Sequence, residues 1–357
     1  MLALPETDVL DALDCDVVAL EIEPDGSCLT NAFHDDAYWS LYNFNGRLDS
    51  AVPQHLNNYA VEPDGTILQQ TYDLRMPPDS FVFNAEHSGQ AVDLFGDLPL
   101  LDLGKYRADL EEHALLTDEK IHEIIRFVRR TRSCTDRAIL VAGGAMQTHL
   151  GIAAHGGMGV FPMICMMHPD YVHELHSIST EIVNRNIQSL LPEIAGDVDI
   201  ILTGGGDWGT QNSLIASGDV FRTLFAPYMR VLNDEVHRID PSLKTFIHSC
   251  GAVYDLLDSY IEDCHIDVIN PVQWPAGGRG YRAWKDKVRN RASLWGGCVN
   301  TQTTLPRGAV EDIRKEVLEV AGYFAEGGGY VFNAIHNILA EIPPEKILAM
   351  YAAAREL

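Results

Sequence analysis

The sequence predicts an α/β protein: a (β/α)8 barrel over residues 118–357, with residues 1–117 as an irregular elaboration packed on it. Two observations predict this. From Asp118 onward, stretches of helical period alternate with short apolar runs, the spacing of strand and helix units around a parallel sheet. Polar or glycine-rich residues then follow five of those runs: Gly204 to Asp207, His248 to Gly251, Asn270 to Gln273, Gly296 to Gln302 and Asn333 to Asn337. A barrel brings all such strand ends to one mouth, whereas an open sheet gathers only those beside its switch point. The even spread favours the barrel.

Taken in order, the first hundred residues are rich in turn signals. EPDG occurs at 23–26 and again at 62–65 without matching flanks, so it reads as a recurrent turn and not as a repeat. VVALEIE at 17–23 and TILQQTYDL at 66–74 alternate as strands do. Helices are expected at 118–131, 169–191, 218–238, 252–263, 308–326 and 343–355, several with Pro or Asp near the start. The apolar runs between them lie at 138–144, 159–164 (GVFPMI), 198–206, 244–251, 266–273, 292–298 and 329–336, each expected as a strand.

Lys and Arg total 26 against 51 for Asp and Glu, a formal charge of -25. A surface this acidic repels phosphate backbones and anionic lipid, so neither nucleic acid nor a membrane is an expected partner. The opening MLALPETDVLDALDCD has no basic segment followed by an apolar core and does not read as a signal peptide. Seven scattered cysteines fit a reducing compartment, and a cytoplasmic location is expected.

The run TFIHSCGA at 245–252 carries the main chemical signal. Residues two apart on a strand share a face, so His248 and Cys250 offer a nitrogen and a sulfur to one point. Cys298 and His336, each beyond a later strand, are candidates to complete a metal set, for which zinc accepts mixed ligands. A cysteine beside two glycines also reads as a small buried hydrophobe. GGGDWG at 204–209 lacks the spacing of a nucleotide loop and suits a close backbone approach that leaves Asp207 in the mouth. His149 and His155 flank a glycine-rich loop and offer acid–base groups.

Four segments carry a family resemblance: GDWGTQNSLIASGDVFRTLFAPY at 206–228, IHSCGAVYDLLDSYIEDCHIDVINPVQ at 247–273, LWGGCVNTQTTLP at 294–306, and GGYVFNAIHNILAEIPPEKILAMYAAA at 328–354. With these the chain resembles the uroporphyrinogen decarboxylase superfamily, and within it the zinc-dependent methyltransferases that work with corrinoid proteins. The resemblance implies a barrel with its site at the carboxyl mouth and zinc on His248, Cys250 and His336. In that branch the third position is a cysteine. It also implies an enzyme that moves a methyl group between a small methylated substrate, thiol or tetrahydrofolate and a corrinoid protein that supplies cobalamin.

Asp207 or Glu86 is then the fourth ligand or a carboxylate orienting one. Trp208, Gln211, Asn270, Gln273, Gln302 and Asn333, with Glu86, are the expected substrate contacts, and Trp208 and Trp295 equally suit the core. A second copy of the chain is a further expected partner. The arginine-rich amino-terminal signature of the tetrapyrrole decarboxylase is absent, and its polycarboxylate substrate needs cationic clamps that so acidic a chain is short of. The alternatives are a decarboxylase working without metal and a non-catalytic barrel that binds a corrinoid protein or ligand.

Overall fold

The computed structural model describes residues 4–34, 39–46, 49–53, 56–71, 73–83, 97–148 and 150–357. Its strands are β1 (Val17–Ile22), β2 (Cys28–Thr30), β3 (Trp39–Asn43), β4 (Asp49–Pro53), β5 (Tyr59–Val61), β6 (Ile67–Gln69), β7 (Leu74–Met76), β8 (Ala138–Ala142), β9 (Ile200–Gly205), β10 (Lys244–His248), β11 (Val268–Asn270), β12 (Ser293–Trp295) and β13 (Tyr330–Val331). Eight of them form one curled sheet in the order β13-β12-β11-β10-β9-β8-β1-β2, flanked by helices. Only β2 runs antiparallel to its neighbour. This is the α/β, barrel-type architecture expected. Its strand β1 comes from the amino-terminal segment and pairs with β8 from Val17 opposite Ala138 to Glu21 opposite Ala142.

Local sequence explains the elements. On β1 and β8 every second residue is buried, so Val18, Leu20 and Ile22 face the core with Ile139 and Val141. Helix Asp118–Cys134 starts where Thr117 accepts a hydrogen bond from the Lys120 N–H, with Asp118 and Glu119 in its first turn; it buries Ile121, Ile124, Ile125 and Val128 on one stripe. Both EPDG segments form the same turn. Gly26 N–H donates to the Glu23 carbonyl and Gly65 N–H to that of Glu62, and both glycines have φ near the left-handed region that EPDG supplies glycine for.

Three expectations need correction. GVFPMI is not a strand but part of helix Gly157–Met167, because its buried residues Val160, Phe161, Ile164 and Cys165 follow a helical spacing while Met158, Met166 and Met167 are exposed. The helix expected at 218–238 divides into Gly218–Leu224 and Ala226–Ile239, broken at Phe225 ahead of Pro227. The helix expected at 252–263 contains a 3₁₀ turn, Tyr254–Leu256, and a π-helical turn, Ser259–Asp263. Among the described residues no helix is long and apolar enough to cross a membrane.

Helix Pro169–Ile194 is tied to the loop after β8 and to the link ahead of helix Asp118–Cys134 by Asn186, which is 1% exposed. Its Oδ1 accepts from Leu116 N–H, and its Nδ2 donates to the carbonyls of Ala114 and Ala145. Asn186→Ala removes the partner of those three backbone groups, two of them in buried bonds, and urea unfolding is expected to show a loss of about 2–4 kcal/mol.

Candidate functional site

The site is built where the chain leaves β9 and β10. Beyond β9, Gly206 (φ 117°) passes so close to Gly151 that a methyl group there would lie 2.6 Å from the Gly151 Cα. Three residues on, Gly209 crosses Gly251 backbone to backbone. A methyl group on Gly209 would meet the amide nitrogen of Ala252, and one on Gly251 would meet the carbonyl of Gly209. Gly251 also has φ 90°. Hydrogen bonds lock the crossing: Gly209 N–H to the Cys250 carbonyl at 3.1 Å, Ala252 N–H to the Thr210 carbonyl at 2.9 Å, and Trp208 N–H to Ser249 Oγ at 3.2 Å.

This crossing sets Asp207 beside the His248–Cys250 pair. Asp207 Oδ1 accepts from the Cys250 N–H at 2.9 Å. The ligand atoms of Asp207, His248 and Cys250 all lie within 4.8 Å of one another, forming a potential metal-coordinating triad. His248 Nε2 is 3.3 Å from Cys250 Sγ, and His336 Nε2 is 3.1 Å from the same sulfur. Nitrogen and sulfur ligands of a tetrahedral zinc ion stand about 3.5 Å apart, near the His248–Cys250 separation; among the described residues the mutually close set takes Asp207 as its third member and not the expected His336.

Asn270, at the end of β11, orients His248. Its Nδ2 donates to the Trp295 carbonyl at 3.1 Å, which turns Oδ1 toward His248 Nδ1 at 2.7 Å. The proton therefore sits on Nδ1, and the lone pair of Nε2 faces Cys250. Burial, and then the Asp207 carboxylate, push the Cys250 thiol well above its usual pKa. Partial burial and the neighbouring His248 hold His336 below the ordinary imidazole value, with Asp207 pulling the other way. Both groups are thus neutral near pH 7 without an ion, and an ion binding here displaces the thiol proton.

The remaining candidates divide. Gln273 is 8% exposed and its Oε1 accepts from Gly251 N–H, so it supports the crossing. Gln211 and Gln302 meet each other at 3.4 Å on the surface. The Asn333 side chain accepts from Ala334 N–H. Trp208 is not a substrate contact: it is fully buried against Phe221 and Phe225. Trp295 packs edge-on to Phe246. Cys298 is fully buried with Val299, Leu305 and Ile313 and stays apart from the triad. His155 bonds the Tyr171 hydroxyl at 3.1 Å. Glu86 and His149 lie outside the described residues.

Sequence reasoning missed Ser249, whose buried hydroxyl receives both Trp208 N–H and the Tyr260 hydroxyl and so holds the two loops together. Its only signal was its place between His248 and Cys250. The pairing of Gly209 with Gly251 had no local signal, because each glycine alone reads as a turn.

A curled, mostly parallel sheet with polar groups gathered past its strand ends defines a barrel-type α/β protein. Residues 96–357 match the family uroporphyrinogen decarboxylase (URO-D), and the chain belongs to that family. No curated protein matches it. Among solved structures it is similar to xylanase B from Clostridium stercorarium F9, at 10% identity over 64% of this chain and 75% of that one, with a TM-score of 0.37. It is also similar to the Ignisphaera aggregans GH53 catalytic domain, at 10% identity over 65% and 78%, with a TM-score of 0.33. Likenesses this low carry no functional argument.

The family match corrects one expectation from sequence. It is to uroporphyrinogen decarboxylase, which overturns the reading of the chain as a methyltransferase exchanging methyl groups with a cobalamin-bearing corrinoid protein. That reading rested on four segments; among them His-x-Cys places two donors on one strand face whatever reaction follows, and the branch's third cysteine is His336 here.

Gly251→Ala places a methyl group in the crossing at a left-handed backbone position. Thermal or urea unfolding is expected to show a loss of about 2–4 kcal/mol, with Gly157→Ala, where a methyl group would meet nothing, losing less.

Proposed function

We propose that the chain is a decarboxylase of this family acting on a small carboxylated substrate over Asp207, His248, Cys250 and His336. The observation that carries this reading is the convergence of those four groups past the strand ends of a chain that belongs to the URO-D family. The chain has 26 Lys and Arg against 51 Asp and Glu, and a polycarboxylate tetrapyrrole needs cationic clamps, so the charge balance favours a substrate with few carboxylates.

Decarboxylation breaks the bond between the substrate carbon and its carboxylate, leaves the electron pair on that carbon and needs one proton to replace the released carbon dioxide. His336, exposed and 3.1 Å from Cys250 Sγ, is the group placed to relay that proton from solvent to the carbon. It is neutral at rest, and the Asp207 carboxylate favours the imidazolium it becomes during the relay. Asp207, His248 and Cys250 would hold a divalent ion, for which zinc suits the mixed oxygen, nitrogen and sulfur set, and the ion would supply positive charge beside the carbon that receives the electron pair. Asn270 keeps the Nε2 lone pair of His248 directed at the site.

Carbon dioxide release from a panel of small aromatic and aliphatic carboxylic acids, with uroporphyrinogen alongside, tests the reading. Release from a small acid is expected, with kcat about 100-fold lower in His336→Gln. Release from the tetrapyrrole alone would overturn the small-substrate assignment, and release from none would overturn decarboxylation. Metal content is a separate test: Asn270→Ala is expected to weaken zinc retention against a chelator by about 10- to 100-fold while the fold persists.

A further inference from the structure

The opposite end of the sheet, where the strands begin, holds a cavity of about 500 Å³. It is lined by Lys244 at the start of β10, Asp267 just before β11, Ser293 at the start of β12, the loop Gly327–Gly329 before β13, and Lys285 and Arg289 to Arg291 at the end of helix Gly280–Val288. In a chain with a formal charge of -25, four of these lining residues are cations, against the two carboxylates of Asp267 and Glu326.

The partners of these groups decide what the cavity can take. Asp267 is occupied by His237 Nε2 at 2.8 Å and by Thr245 N–H at 2.9 Å. Arg291 is paired with Asp258 and Glu262, and Arg289 with Asp286. The two lysines differ. Lys285 is only 3% exposed, yet its ammonium donates one hydrogen bond, to the Gly328 carbonyl at 2.6 Å, and has no carboxylate within 4.0 Å among the described residues. Burial and the nearby Arg289 lower its pKa, and the Glu326 carboxylate acts the other way. Lys244 likewise has no ion-pair partner among the described residues. Gly327, Gly328 and Gly329 have φ of 72°, 79° and 68°, and the N–H groups of Gly327 and Gly329 donate to nothing among the described residues.

We propose that this cavity binds a phosphate group, held by Lys285 and Lys244 with the glycine loop as its wall. Phosphate is favoured over carboxylate because the guanidinium forks that grip a planar carboxylate are already paired, while the unpaired cations are the point charges that suit a tetrahedral anion. The volume exceeds that of a bare phosphate ion and leaves room for an organic phosphate. None of the residues involved belongs to the candidate site at the other end of the sheet, so the inference does not depend on the decarboxylase reading.

Calorimetric titration of the full chain with inorganic phosphate, pyrophosphate, glucose 6-phosphate and citrate, at an ionic strength fixed with chloride, tests it. The phosphates are expected to bind and citrate to bind at least tenfold more weakly. Lys285→Met and Lys244→Gln are each expected to weaken phosphate binding about tenfold. Because Lys285 is buried, its variant is checked by circular dichroism, and the exposed Lys244 keeps the test valid should Lys285→Met fail to fold. Glucose 6-phosphate binding more tightly than inorganic phosphate would assign the site to an organic phosphate; the reverse order would assign it to the free ion. Equal affinity in wild type and Lys244→Gln, citrate binding as tightly as phosphate, or no phosphate binding by the wild type would overturn the proposal.

Discussion

The crossing of Gly209 over Gly251 is the constraint on which the candidate site depends. Two backbones in contact leave no room for a Cβ on either, and the hydrogen bonds beside the crossing use donors and acceptors that would otherwise be buried without partners. Asp207 and Cys250 belong to the two crossing loops, so their relative position is set by main chain and not by flexible side chains. Ser249 and Gln273 satisfy the polar groups the crossing leaves over. A loop without this contact would let Asp207 turn to solvent, where a carboxylate is better hydrated.

Electrostatics then follow from placement. Burial and the nearby Asp207 both act against ionising Cys250, so the thiol stays protonated until a cation arrives. The same neighbourhood keeps His336 neutral, and Asn270 presents the right lone pair of His248. The centre is therefore arranged for a positive charge that its own side chains do not supply. At the far end of the sheet the imbalance has the other sign, with four cations around one cavity against the carboxylates of Asp267 and Glu326 in a chain otherwise dominated by acid.

Much of the fold was legible along the chain. Apolar runs at regular intervals became β8 to β13, and the helices at 118–131, 169–191, 308–326 and 343–355 formed within a few residues of their expected bounds. GVFPMI failed for a physical reason: a short continuous apolar run satisfies both periods, and only its burial on one helical stripe distinguishes them. Trp208 failed for another, since a large aromatic near a strand end is equally suited to a pocket or a core, and here Phe221 and Phe225 enclose it.

By itself the sequence determined the α/β class, the turn at each EPDG and the shared face of His248 and Cys250, because period, glycine conformation and the two-residue repeat of a strand are local properties. Only the tertiary structure decided that Asp207, from the end of a different strand, and His336, 86 residues beyond Cys250, meet the same sulfur's surroundings while Cys298 does not. It also decided that β1 joins β8 across more than a hundred residues of chain. Such meetings depend on sheet register and on which backbones approach closely enough to require glycine, and neither quantity is carried by any one stretch of residues.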